Sequence, residues 1–534
     1  LHAPPARLVG KLTASNDNAP RLALAGPIEA SMTDATAPAA TTIPKSGVSH
    51  DELLQRLAAF KDQDADYKSG RTWSLVYHVS DEHTAFLKQA YTAFMSENGL
   101  NPIAFSSLKN MEADVVRMTL DMLHGPEDSV GTLTSGGTES ILLAVKAARE
   151  RAKKTRPWII GPEIVVPKTI HVAFDKACHY FGVKIRHAPV GPDMRVDVSA
   201  MKKLIGRNTI LIAASAPQYP HGVIDPIEEI AAIADAKGIP MHVDACVGGF
   251  MLPWVEKLGH PVRGWDFRVP GVTSISADVH KYGYAAKGAS TISYRSMDYM
   301  KHQFFVQTDW PGGIYASPSI PGTRPGGGIA AAWAAMMAMG EDGYMSLAEK
   351  ALQTTERLRA GLDAIDGIRV VAPPDMTIVS YVSDDENVDI YAVADLLEAG
   401  GWNVDRQQHP NCIHLTVNAN NADVVDAYLE DVAKAVEQVR ANPDLAASGN
   451  AAMYGMMARV PLRGFVKAAV HKVMEGMYGP DGEVPDLSKL GEDEKADVLL
   501  QLIHRYGDQA MGLLDKLEEG RDRVKKAIGK ISGE

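Results

Sequence analysis

Cysteine is scarce in this 534-residue chain. Cys178, Cys246 and Cys412 lie far apart with no CxxC pair, which excludes a disulfide framework and the usual zinc spacings and fits a reducing cytoplasm. No apolar run approaches the roughly 20 residues of a membrane span. The amino end also lacks the charged-then-apolar order of a signal peptide, so a soluble, cytoplasmic protein without a membrane span is expected. Positive charge is short as well: 54 Lys and Arg stand against 66 Asp and Glu, a formal charge of -12. The whole-chain field therefore repels nucleic acid and anionic membranes, and an anionic ligand needs a local basic pocket. The chain has no GxxxxGK[ST], which disfavours a nucleoside triphosphate; no HExxH, so no catalytic metal is expected; and no GxSxG elbow.

What is present is a globular composition, 46% hydrophobic and 22% charged, long enough for several domains. Residues 1–48, rich in Ala, Pro and Thr, have neither helical nor strand period and read as a flexible arm. A helical segment over 49–110 follows, with HDELLQRLAAFKDQ and SDEHTAFLKQAYTAFMSENG as helices and Ser80 and Asp81 available to cap the second. From 111 to 355 short apolar runs alternate with helical stretches: VGTLT, EIVVP, VKIRHAPV, TILIAASAP, MHVDAC, VTSISAD and GASTISYR are the candidate strands. That alternation implies an α/β domain with a mainly parallel seven-stranded sheet flanked by helices, which gathers its ligands at the carboxyl ends of the strands. The Pro/Gly-rich segment 309–328 reads as a long functional loop. A smaller carboxyl-terminal α+β domain spans 356–475, and an acidic helical tail spans 476–534.

GTLTSGGTESILLAVKAA places a strand, then Ser135, Gly136, Gly137 and Thr138, then a helix. The glycines let backbone approach an anion, and the first helical amides with the Thr138 hydroxyl point toward it, a phosphate cradle. Taken alone, the same stretch is an ordinary glycine turn. MHVDACVGGF ends a buried strand with Asp244, and an unpaired buried carboxylate is too costly to leave without a partner. Further on, another strand is expected to end at His280-Lys281, bringing an acid and a lysine to one sheet edge. A cradle, a carboxylate and a lysine in that order are what pyridoxal 5'-phosphate requires: amides for its phosphate, an anion for the pyridine nitrogen, an amine for the aldehyde. Imine formation would also remove the free ammonium of Lys281, a residue set among small and apolar neighbours. His171, after EIVVP, is positioned to lie on the pyridine ring, although a lone histidine of this kind is more often structural.

Together GTLTSGGTESILLAVKA, SAPQYPHGVIDPIEEIA, MHVDACVGGF, GVTSISADVHKYGYAAKG and TDWPGGIYASPSIPGTRPGG closely resemble the sphingosine-1-phosphate lyases, within the group II pyridoxal-dependent decarboxylase superfamily, from roughly residue 50 to 470. The resemblance implies fold type I of the pyridoxal-phosphate enzymes and a homodimer with shared active sites. Lys281 would bond to the cofactor, Asp244 would pair with its ring nitrogen and His171 would stack on the ring. The segment from Ser135 to Thr138, with His280, would hold the cofactor phosphate, and Gly322 and Thr323 would reach the neighbouring subunit's cofactor, Thr323 standing where Ser is frequent. The reaction implied is retro-aldol cleavage of a sphingoid-base phosphate to a long-chain aldehyde and phosphoethanolamine. Lys281, once released, and Tyr219 are the two candidates to take the 3-hydroxyl proton. Lys287 and Tyr77 match family positions at the substrate phosphate. Asn101 departs from the family pattern, which has His there and Asp two residues later where Ile103 stands, so one possible donor is lost from that pocket.

Two other readings remain open at this stage. One is an amino-acid decarboxylase on the same scaffold, breaking the bond to the α-carboxylate. The other is a cofactor-binding protein without turnover that acts on a partner through its arm or tail; it leaves Lys281, Asp244, His171 and Tyr219 without a physical reason to occur together.

Overall fold

A computed structural model describes residues 42–480 apart from 63, 448 and 460–462. The arm up to residue 41 and the expected tail helices beyond residue 480 lie outside the described residues. The first helices are α1 (His50–Lys61), α2 (Asp81–Ala93), α3 (Ser106–Met122), α4 (Gly137–Thr155) and α5 (Ala173–Phe181). Ser80 caps α2 as its sequence position suggests, accepting from the His83 amide at 3.0 Å.

All seven candidate strands form one sheet: β1 (Val130–Thr134), β2 (Glu163–Pro167), β3 (Lys184–Ala188), β4 (Thr209–Ser215), β5 (Met241–Asp244), β6 (Val272–Ala277) and β7 (Ser290–Tyr294), in the order β1-β7-β6-β5-β4-β2-β3. The four pairs linking β3, β2, β4, β5 and β6 are parallel, while β7 runs antiparallel to both β1 and β6. Every residue of β2, β4, β5, β6 and β7 is buried. Helices cover both faces, which is why these strands read as continuous apolar runs rather than alternating ones.

The Pro/Gly-rich segment is not structureless throughout. Its middle forms β9 (Tyr315–Ser317), which pairs antiparallel with β8 (Phe305–Gln307) in an exposed hairpin. A helical stretch, Gly326–Asp363, broken at Gly340 where φ is +57°, then leads to the second sheet. That sheet is antiparallel, ordered β10 (Ile368–Val370), β11 (Ile378–Ser383), β13 (Cys412–Thr416), β12 (Asp405–Gln407). Its core is separate from that of the large sheet and takes in Trp73 from far up the chain, stacked on Trp402 and tilted against Tyr428. Fold type I, a mainly parallel large sheet with a smaller α+β domain, is therefore borne out.

Candidate active site

The carboxyl ends of β5 and β6 carry the charged residues. Asp244 closes β5 level with Ser276 of β6 and Ser215 of β4. One of its oxygens accepts from the Cys246 amide at 3.1 Å and the Ser276 hydroxyl at 3.4 Å. Two residues earlier, His242 lies between the Ser274 and Ser276 hydroxyls, and burial pushes its imidazole down to about 4, so it is neutral at physiological pH. β6 ends at Ala277, three residues before His280, so His280 and Lys281 sit in the turn beyond the strand rather than at its last positions.

That turn gives Lys281 a partner that its sequence context does not announce. Its Nζ lies 3.0 Å from Oδ2 of Asp278, a buried side chain only 2% exposed. Burial works against the Lys281 ammonium, but the Asp278 charge overrides it and holds the lysine above its ordinary pKa. In the same way burial opposes the Asp278 carboxylate, and the Lys281 charge, then that of His280, keeps it below its usual range. Lys281 therefore pairs with Asp278, and Asp244 acts on it only through space as a lesser contribution. The spacing Asp278-Val279-His280-Lys281 in a turn was the available signal.

Above this pair lies the glycine segment. Gly136 has φ +156° and precedes α4, whose amino end has no side-chain cap. A Cβ on Gly136 would sit 3.6 Å from the His280 ring, and one on Gly137 would sit 2.7 Å from Cys246 Sγ and 2.8 Å from both Asp278 oxygens. Ser135 and Thr138 are exposed at the rim. Glu139, in the first turn of α4, accepts from the amide and hydroxyl of Ser135 at 2.8 and 2.6 Å and from the Ile320 amide at 2.8 Å, fastening the glycine segment to the loop after β9. On the other side, Lys287 Nζ lies 5.2 Å from the Tyr77 ring centre and donates to the Leu75 carbonyl at 2.6 Å. Its chain still reaches solvent, yet desolvation, then the nearby Lys281 charge, lower its amine to about 8.

The family model for the pyridoxal-dependent decarboxylase conserved domain matches residues 74–383. Sphingosine-1-phosphate lyase 1 of Rattus norvegicus is 44% identical over 82% of this chain and 77% of its own length. The chain belongs to the sphingosine-1-phosphate lyase family. The Arabidopsis thaliana lyase is 43% identical over 80% of this chain and 79% of its own. The Burkholderia pseudomallei lyase structure covers 82% of this chain and 97% of that one at 37% identity, with a TM-score of 0.75. Glutamate decarboxylase of Lactobacillus brevis, 21% identical with a TM-score of 0.65, covers 75% of this chain and 95% of its own and shares the fold.

Pyridoxal phosphate, the cofactor of this family, fits the residues present. The uncapped amino end of α4 behind two glycines offers amides to a phosphate, with the His280 ring against it, while the Lys281 amine stands in the turn after β6 and the Asp244 carboxylate at the end of the neighbouring β5. The remaining residues named from the sequence fall in four places. His171 is exposed between β2 and α5, its Nδ1 accepting from the Ala173 amide at 3.1 Å, which leaves the proton on Nε2. Asn101 directs its carbonyl to the amides of Ile103 and Ala104 and so stabilises its own turn. Thr323 is exposed and Gly322 half-buried in the loop before the Gly326–Asp363 helix, where Asn98 bridges to Thr323 and Arg324 at 3.5 and 3.1 Å. Tyr219 is drawn to the small domain, donating to Asp405 Oδ2 at 3.0 Å. Asp405 is a second residue that the sequence alone does not bring to the site.

Proposed function

We infer that this chain is a pyridoxal-phosphate-dependent lyase that cleaves sphingoid-base 1-phosphates by retro-aldol chemistry to a long-chain aldehyde and phosphoethanolamine. The observation that carries this reading is a second cationic position beside Lys281: Lys287, set over the Tyr77 ring and lining one cavity with Ser135 and Glu139 of the glycine segment. A substrate with its own phosphate needs such a position. An amino-acid decarboxylase needs a cation at an α-carboxylate instead.

Bound at this site, pyridoxal phosphate supplies an aldehyde for an amine and a conjugated ring that takes up the electrons of the cleaved bond. In this reading Ser135, Gly136, Gly137, Thr138 and His280 bind its phosphate. Asp244 holds a proton at the ring nitrogen, and His171 covers the ring. Lys281 supplies the amine, and on release it stands beside Asp278 as a stored cation. Lys287 and Tyr77 bind the substrate phosphate, with Asn101 on the rim. Incubating the purified holoenzyme with a sphingoid-base phosphate should yield fatty aldehyde; carbon dioxide without aldehyde would overturn the lyase reading. Lys281→Ala should abolish both cleavage and the bond that borohydride traps between chain and cofactor.

The same reading includes a homodimer with shared sites in the cytoplasm. Three buried free cysteines agree with a reducing compartment. No described helix is long and apolar enough to cross a membrane. Supporting the dimer, the β8–β9 hairpin exposes Phe305, Val306, Trp310 and Ile314 next to the loop of Gly322 and Thr323. Trp310→Asp should turn a sedimenting dimer into a monomer; an unchanged dimer would place the interface elsewhere.

A further inference from the structure

Tyr219 is tied to the small domain by one hydrogen bond and one ring contact. Its hydroxyl donates to Asp405 of β12, and its ring lies 4.3 Å from that of His414, the cross-strand neighbour of Asp405 on β13. His414 cannot share the phenolic proton. Its Nδ1 faces the Pro220 carbonyl at 3.3 Å, which can only accept, so that nitrogen carries the hydrogen, and its Nε2 is engaged by the Thr416 hydroxyl at 2.9 Å. Burial pushes this imidazole down to about 4, leaving it neutral. The other charged or titratable groups acting on Tyr219 are Lys281 and Tyr77.

We propose that Asp405 is a positioning residue for bond cleavage, taking the Tyr219 proton so that the Tyr219 oxygen can take the proton of the substrate's 3-hydroxyl. This deepens the lyase reading and rests on it. As the C2–C3 bond breaks, the hydroxyl proton moves to Tyr219 while the phenolic proton moves to Asp405. The O–H pair becomes the second bond of the aldehyde carbonyl, and the C2–C3 pair stays with the amine-bearing fragment. The proton on Asp405 then returns through Tyr219 to that fragment's carbon, so the charges balance. Tyr219 alone makes a poor base, because burial, and after it Asp405, push its phenol above the ordinary value, and a free phenolate is scarce at neutral pH. The paired carboxylate removes the need for one.

The test combines kinetics with a titration that needs no cofactor. Asp405→Asn should lower kcat by about tenfold or more, leave KM nearly unchanged and alter the pH profile of kcat, and Asp405→Glu should restore part of the loss. Tyr219→Phe should lose as much, and the double variant no more than either single one, because the two groups act as a unit. Losses that multiply, or a wild-type pH profile in Asp405→Asn, would overturn the proposal. In the cofactor-free chain, fluorotyrosine placed at position 219 should titrate at lower pH once Asp405 is Asn, read by fluorine NMR. An unmoved titration sinks the pairing whatever reaction the enzyme runs, whereas a wild-type holoenzyme that cleaves no sphingoid-base phosphate sinks the lyase reading.

Discussion

Asp278→Asn tests the charge arrangement at Lys281 directly. The side chain keeps its size, and the carboxylate 3.0 Å from Nζ is lost. At an effective dielectric of about 20, two unit charges at that distance attract by roughly 5 kcal/mol, and part of this offsets desolvation of both groups. Removing one member of a buried pair leaves the other charge uncompensated, at about 3–5 kcal/mol. With 24% of the Lys281 side chain still exposed, the lower end of that range is expected. In the cofactor-free protein Asp278→Asn should therefore unfold with about 3 kcal/mol less free energy at pH 7. Lys281→Met in the same chain should recover much of it.

The pH dependence fixes the cause. Asp278 is held below the ordinary carboxyl range, so its contribution is present above about pH 4 and is lost as the pH falls through its own depressed value. Lys281 is held above the ordinary lysine value, so its contribution is complete below about pH 10.4 and is lost as the pH rises through its raised value. Equilibrium denaturation at pH 7 and at steps toward pH 3 should show the gap between wild type and variant narrowing in acid. A gap under about 1 kcal/mol at pH 7, or one that persists in acid, would refute the ion pair as its source.

Lys287→Ala should weaken phosphorylated substrates by about tenfold or more through the lost charged hydrogen bond, with dephosphorylated analogues little changed. In the wild type, KM for the phosphorylated substrate should rise as the pH passes about 8, where Lys287 loses its proton, and this rise should be missing from the variant. Gly137→Ala should lower cofactor content, measured by absorbance after purification, because the added Cβ would meet Cys246 and both Asp278 oxygens inside 3 Å. Glu139→Gln should speed proteolytic cleavage in the loop at Ile320 and weaken cofactor retention together, since one carboxylate holds both Ser135 and that loop; cleavage at the wild-type rate would count against the link.

The large sheet was legible because its strands are buried on both faces and so stand out as apolar runs, and the β1–α4 junction because Gly136 and Gly137 interrupt it. Lys281 was identified but its partner was not: Asp244 was assigned to the cofactor's ring nitrogen at the same sheet edge, and Asp278 approaches the lysine from a turn that begins where β6 stops. Asp405 carried no local signal. β12 has three half-buried residues, and its contact with Tyr219 joins positions 186 apart in the chain. Trp73 likewise belongs to the core of the small domain, through Trp402 and Tyr428, more than three hundred positions later. The β8–β9 hairpin was hidden by proline and glycine that bound two three-residue strands. Long-range pairings between short elements leave no period in the sequence to read.

Gly137 shows how the parts of the site constrain one another. The sequence suggests a glycine kept free for an anion, and the amino end of α4 is indeed uncapped. Yet the space a side chain would fill there already holds Cys246 Sγ and the two oxygens of Asp278. The start of α4 thus lies directly over the ion pair, and the positive end of its dipole faces the same carboxylate that holds Lys281. One buried anion, Asp278, is thereby shared between a lysine, a histidine and a helix terminus, and its Oδ1 has no hydrogen-bond partner among the described residues. A negative phosphate brought to α4 must approach this carboxylate, a repulsion that the His280 cation reduces only while it carries its proton. Burial already holds His280 below its ordinary value, so retention of the cofactor phosphate should weaken as the pH rises from acid through neutrality, and replacing Asp278 by Asn should make that weakening smaller.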